Sequence, residues 1–296
     1  MDAVILLDKP AGITSAEAVR RIKRFVKPAR VGHLGTLDPF ATGLLPIMIG
    51  EATKLAPFLE GGDKEYTGTI QLGAETDTLD RDGQVIRTAP VPALPPERIG
   101  EVAAGFIGMI TQTPPIFSAI KREGVPMYKL ARKNIDIAPP PPREVEIKSL
   151  TLEASGRDRI NFVVVCSPGT YIRSLARDIG VALGTAAYLD ELRRIRTSHF
   201  QIADALALEV VVAALEADDA AALKTLSARD AAGTMPEVAL LAAAERRLRH
   251  GDSSVLDMMA PVASGYFKVI SESGALIAVA RATSRVTAVI ERIFNS

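Results

Sequence analysis

The stretch GHLGTLDPFATGLLPIMIGEATKL, from Gly32 to Leu55, constrains the chain more than any other. Its second half is almost continuously apolar, but Gly43 and Pro46 interrupt any helix drawn through it. The run therefore reads as a buried strand, LLPIMI, behind a polar loop. That loop carries one histidine, His33, and one aspartate, Asp38, among Gly, Thr and Pro. Asp followed by Pro is also the pattern of a helix N-cap. The helix that Asp38 would cap, however, runs into Gly43 and Pro46. A carboxylate on a loop packed against a rigid core is well placed to face a pocket.

The surrounding segments supply that core. VILLDKPAGITS reads as a short buried strand ended by Lys-Pro and Ala-Gly turn signals. Thr14 with Glu17 three residues later fits a capping box. Val19, Ile22 and Val26 then recur at helical spacing while Arg20, Arg21, Lys23, Arg24, Lys27 and Arg30 take the other face. From Lys64, KEYTGTIQLGAETDTLDRDG alternates like a strand and ends in a polar hairpin. RINFVVVCSPGTYIRSLARDIGVALG predicts a buried strand, a tight turn, and a helix carrying Ile172, Leu175, Ile179 and Leu183. Between these lies a proline-bounded excursion, residues 113–143, with scattered Lys and Arg, which returns at the strand VEIKSLTLEA. Gly233 to Pro236 reads as a linker, and the remainder, with RLRHGD and GYFKVISESGALIAVARA, as a small β-rich module.

Several functions are set aside by what is missing. Only three histidines exist, His33, His199 and His250, and their scatter argues against a metal site. Neither a P-loop nor a dinucleotide fingerprint occurs between Gly32 and Gly50. The lone Cys166, in the apolar FVVVCSPG, reads as a buried structural thiol and suits a reducing, cytoplasmic setting. No signal-peptide layout or membrane-length apolar run is expected to direct the chain elsewhere. Formal net charge is zero, yet Arg193, Arg194 and Arg196 form a second basic block, and acids gather around Glu209, Glu216, Asp218 and Asp219. Separated charge of this kind can make one basic face, which is what a polyanion reads.

The long motif resembles the catalytic motif of the TruB-type tRNA pseudouridine synthases, G-H-x-G-x-L-D-P-x-A-x-G-x-L followed by G-x-A-T-K. Further matches follow in the family's order: LLDKPAGITS, then KEY with LGAETDTLDRDG, then SPGTYIRSLARDIG. The RLRHG tail resembles the family's small C-terminal RNA-binding module, PUA.

The resemblance implies an α+β fold, with a mixed, largely antiparallel central sheet flanked by helices and a PUA-like β module. The catalytic domain would span 1–232, with an RNA-gripping insertion at 113–143, and the PUA-like module 235–296. It implies isomerisation of a flipped-out uridine in the T loop of tRNA, at position 55, without metal or other cofactor. Asp38 answers to the essential aspartate, Tyr66 to the tyrosine stacked on the target base, and Arg173 to the arginine paired with the catalytic carboxylate. Tyr171 falls on a pocket position, His33 on the histidine that engages the RNA loop, and Lys9 on a lysine near the active site. The partner expected is the tRNA T-arm stem-loop, with no membrane, no obligatory protein partner, and a monomeric chain.

Two other readings share part of this signature. An RNA-binding or RNA-folding protein would use the same basic surfaces without needing Asp38. An N-glycosidase would use the carboxylate to cleave the same bond but release the base.

Overall fold

Pairing of the strand Lys64–Leu72 with neighbours on both sides organises one of the molecule's two units. In the computed structural model it lies between Ala187–Thr197 and Arg159–Cys166, antiparallel to both. The structure describes all residues except 119–120, 123–124, 128–137, 258, 263, 285 and 296. These residues form two compact units. The first comprises Met1–Asp38, Leu44–Gly61 and Ile202–Ser296, and the second Pro39–Gly43 and Gly62–Gln201.

In the second unit the strands run in the order Ala187–Thr197, Lys64–Leu72, Arg159–Cys166, Arg143–Ala154 and Gly108–Gln112, each antiparallel to the next. Thr42 and Gly43 add a short parallel pairing with Arg193 and Arg194, so the sheet is mixed and largely antiparallel. The helix Ile172–Leu183 packs on Ala187–Thr197 and buries Ile172, Leu175, Ile179 and Leu183, the four positions its periodicity predicts. Burying each of these contributes roughly 1.5–3 kcal/mol before entropy is counted. Gly184, in the left-handed region at φ +86°, ends the helix as a C-terminal cap. A second helix, Pro96–Gly105, covers Arg143–Ala154. The polar hairpin expected after Leu72 is Ala74–Thr76 paired with Val85–Thr88.

The first unit is built on the strand Ala3–Lys9. It pairs in parallel with Leu206–Ala207 and neighbours Thr42–Ile49, whose far half pairs antiparallel with Val31–His33. The helix Ser15–Lys23 follows with the expected cap: Thr14 Oγ1 accepts from the Glu17 N–H at 3.0 Å. It stops at Lys23, short of Val26, because the next residues turn toward Pro28. Pro46 sits inside a strand; it has no N–H to donate, but its carbonyl accepts from Leu34 at 2.9 Å.

The C-terminal residues of this unit form a four-stranded sheet, Glu237–Leu240, Gly265–Ser271, Leu276–Ala282 and Ala288–Ile293. Its own core holds Leu240, Leu248, Leu256, Phe267, Val269 and Ile277. Within the unit it is tied to the Gly50–Leu55 segment and to the short helix Ala56–Leu59 that follows it. Lys54 Nζ donates to the Ile293 carbonyl at 2.8 Å, and Phe58 meets Tyr266 edge to face at 5.0 Å. Within the 113–143 excursion, residues 119–120, 123–124 and 128–137 lie outside the described residues. No helix among the described residues is long and apolar enough to cross a membrane.

Candidate functional site

Asp38 sits on an irregular connection between Val31–His33 and Thr42–Ile49, so the residue caps no helix. It is half-buried, whereas Leu37 and Phe40 on either side are buried and hold the loop down. The peptide before it is gripped from a distance of 22 residues. Ser15 Oγ accepts from the Leu37 N–H at 2.9 Å and donates to the Leu37 carbonyl at 3.1 Å. His33 pairs with Ile47 at the base of the loop. Gly43, at φ +103°, has a steric reason to be glycine: a Cβ there would lie 2.3 Å from the Arg194 carbonyl oxygen.

Lys9 ends the N-terminal strand and is fully buried. Its Nζ donates to the Pro10 carbonyl at 2.8 Å and to the Ile13 carbonyl at 2.9 Å, tying off the KPAGI turn. Burial pushes its ammonium down to about 8, against an opposing attraction from Asp38. The first unit thus brings Lys9 within electrostatic reach of Asp38.

In the second unit Arg173 occupies the first turn of its helix and is 5% exposed. Its Nη1 lies 3.2 Å from Asp80 Oδ2 and donates to the Thr78 carbonyl at 2.9 Å, while Nη2 donates to the Phe117 carbonyl at 2.9 Å. Asp80, also buried, is held in turn: its Oδ1 accepts from Thr78 Oγ1 at 2.6 Å and from the Asp82 N–H at 3.1 Å. Leu79 between them has φ +62°, a conformation that costs a side-chain-bearing residue about 1 kcal/mol or more. Asp178, on the same helix, pairs with Arg177 at 2.7 Å.

Tyr171 precedes that helix, half-buried. Its backbone is bracketed by the buried Gln112, which accepts from the Tyr171 N–H at 2.7 Å and donates to its carbonyl at 3.0 Å. The Arg143 guanidinium lies 4.6 Å from the ring centre, a cation–π distance. Tyr66, on Lys64–Leu72 opposite Val164 and Arg194, is buried. The second unit thereby gathers Tyr171 and Arg173 at one helix start and sets Tyr66 in the adjoining sheet.

Three residues of this scaffold escaped sequence reasoning: Asp80, Ser15 and Gln112. Asp80 lay inside the quoted TLDRDG, but nothing local marked it as buried. One reading needs correction. The Arg193–Arg196 block is no continuous basic surface, because strand alternation turns Arg194 fully inward and Arg196 pairs with Glu65 at 3.0 Å. Cys166 is buried, and burial pushes its thiol up to about 11, which leaves it inert at neutral pH.

The chain has recognisable relatives among known proteins. A family model described as "TruB family pseudouridylate synthase (N terminal domain)" matches residues 23–172, and one described as "tRNA pseudouridylate synthase B C-terminal domain" matches residues 173–229. The chain is 41% identical to tRNA pseudouridine synthase B of Geobacter sulfurreducens over 251 residues, 85% of this chain and 82% of the relative. It is 40% identical to the protein of that name from Methylobacillus flagellatus over 285 residues, 96% and 92% of the two chains. Among solved structures it resembles a chain in the crystal structure of a Cbf5-Nop10-Gar1 complex. The TM-score is 0.76 at 26% identity, covering 99% of this chain and 85% of that one.

Proposed function

The chain belongs to the TruB family of pseudouridylate synthases, and on that premise we propose that it isomerises uridine to pseudouridine in tRNA, at T-loop position 55. The observation that carries this reading is the Methylobacillus flagellatus relative, named tRNA pseudouridine synthase B, which matches along 96% of the chain.

The reaction breaks the bond from N1 to C1′, turns the uracil, and joins C5 to C1′. C5 loses a proton and N1 gains one, so atoms and electrons balance without an oxidant, a reductant or a leaving group. The work left to the protein is to extrude the nucleotide, hold the base, and place one charged group against the sugar. Flipping costs a few kcal/mol, offset by contacts to the rest of the RNA.

Asp38 is the group proposed to act on the sugar, either adding to it or taking a proton from it. Both routes require the ionised carboxylate. Arg173 answers to the family's carboxylate-pairing arginine, and its guanidinium is held by three oxygen partners, which suits a group that must not rotate. Tyr66 is assigned the aromatic face for the uracil, with its hydroxyl available to help remove the C5 proton. Tyr171 lines the pocket, His33 engages the RNA loop, and Lys9 supports Asp38 with its charge. The division into a catalytic part, 1–232, with its RNA-gripping insertion, and an RNA-binding part, 235–296, belongs to the same proposal. So do a monomeric state without an obligatory protein partner and a place in the cytoplasm.

The test is release of tritium from C5-labelled uridine in T-arm RNA by the wild-type chain and by Asp38→Ala, with nucleoside analysis of the product. Pseudouridine and released tritium from the wild type alone are the expected result. Free uracil would mean an N-glycosidase. Unchanged effects on tRNA after Asp38→Ala would mean an RNA-binding protein.

A further inference from the structure

Ser15 is 2% exposed and opens the helix that follows the N-terminal strand. It is not the N-cap, because Thr14 fills that role, so helix formation leaves its hydroxyl unassigned. The hydroxyl spends both its donor and its acceptor capacity on one distant peptide unit pair: it accepts from the Leu37 N–H at 2.9 Å and donates to the Leu37 carbonyl at 3.1 Å. The Leu37 carbonyl belongs to the peptide whose nitrogen is that of Asp38. A group that holds both polar atoms of residue 37 fixes the direction in which the chain enters residue 38.

The loop needs such a restraint. Gly35, at φ +78°, precedes Asp38, and Pro39, which donates no N–H, follows it. No regular strand or helix spans Gly35 to Ala41. Leu37 and Phe40 anchor the loop by burial, but burial is non-directional and does not set a peptide plane. Two hydrogen bonds from a side chain rooted in a helix do.

We propose that Ser15 is a positioning residue for Asp38: its hydroxyl clamps the Leu37 peptide and so aims the carboxylate at the sugar. This rests on the reading of Asp38 as the catalytic carboxylate. A displacement of about 1 Å in a reacting group costs on the order of 10²-fold in rate, so the clamp acts on turnover more than on affinity.

The experiment pairs two readouts on Ser15→Ala and Ser15→Thr. One is single-turnover pseudouridine formation in T-arm RNA, with the RNA dissociation constant measured alongside; the other is hydrogen exchange at the Leu37 amide. In Ser15→Ala the rate constant should fall by roughly 30- to 100-fold with RNA affinity within about two-fold of wild type. Leu37 exchange should rise by roughly tenfold. Ser15→Thr, which keeps the hydroxyl, should recover most of both. If Ser15→Ala does not fold, Ser15→Cys, whose thiol makes weaker hydrogen bonds, should show the same direction in both readouts. Wild-type turnover in Ser15→Ala, or a Ser15→Thr as slow as Ser15→Ala, would overturn the proposal. A wild-type chain that makes no pseudouridine would instead overturn the reaction assigned above. Leu37 exchange would still decide the clamp in that case, and unchanged exchange in Ser15→Ala would end it.

Discussion

Arg173 and Asp80 form an ion pair at 3.2 Å between side chains that are both more than nine-tenths buried. Removing two charges from water costs several kcal/mol, and such pairs often contribute little net stability. Deleting one partner is another matter, since it strands the other charge. The pair is therefore better understood as fixing a guanidinium plane than as stabilising the fold. Asp80→Asn should destabilise the chain by about 3–5 kcal/mol if Arg173 stays buried and charged. Chemical denaturation of Asp80→Asn against wild type measures this, and a loss under about 1 kcal/mol would show that the pair is not what holds Arg173.

Arg173→Lys keeps the charge but cannot reach Asp80, Thr78 and Phe117 oxygens with one point-like ammonium. It should retain the fold by circular dichroism while losing roughly 10²-fold or more in single-turnover rate. Near-normal turnover would reduce Arg173 to a source of charge.

Tyr66→Phe keeps the ring and removes only the hydroxyl. On the assigned role it should fold and bind T-arm RNA as wild type does, yet release C5 tritium slower by roughly 10²-fold, in the range of general base contributions. Tritium release at the wild-type rate would confine Tyr66 to stacking on the base.

Much of this architecture was legible in the chain itself, for local reasons. The strand, turn and helix of LLDKPAGITS followed from Pro10, Gly12 and the Thr14–Glu17 cap, and the helix after SPGTY from the spacing of Ile172, Leu175, Ile179 and Leu183. What escaped notice joins residues far apart: Ser15 to Leu37, Gln112 to Tyr171, and Asp80 to Arg173. Periodicity reports which face of an element is buried, but not which polar side chain on another element meets it. Arg194 is a milder failure. Its block was read as a charge cluster, whereas the period of two expected for a strand already sets Arg194 on the face opposite Arg193.

Gly43 offers a test of the close approach at the start of its strand. Alanine there meets two obstacles at once, a φ of +103° and an Arg194 carbonyl oxygen 2.3 Å from the new Cβ. Backbone atoms on both sides leave little to yield. Gly43→Ala should cost on the order of 2–4 kcal/mol, by the mechanisms that make the large single-site losses. Thermal unfolding of the variant within 2 °C of wild type would contradict that approach.

Lys9 makes a prediction with a definite sign. Burial lowers its folded-state value to about 8 from the ordinary 10.5, with Asp38 opposing the shift. Between those two values the unfolded chain binds more protons at this site than the folded one, so stability must rise with pH across the window. Below about 8 the lysine is charged in both states and its burial cost is carried in full. Lys9→Met has no proton to lose and should show a flatter stability profile from pH 8 to 10.5, measured by urea midpoints at fixed ionic strength. Other groups titrate in the same range, so the diagnostic quantity is the difference between the two profiles. If wild type and Lys9→Met rise in parallel, the buried ammonium titrates as a solvated one does. The same substitution removes the cation whose charge acts on Asp38, so a variant more stable than wild type below about pH 8 yet slower in turnover would separate what Lys9 costs the fold from what it gives the carboxylate.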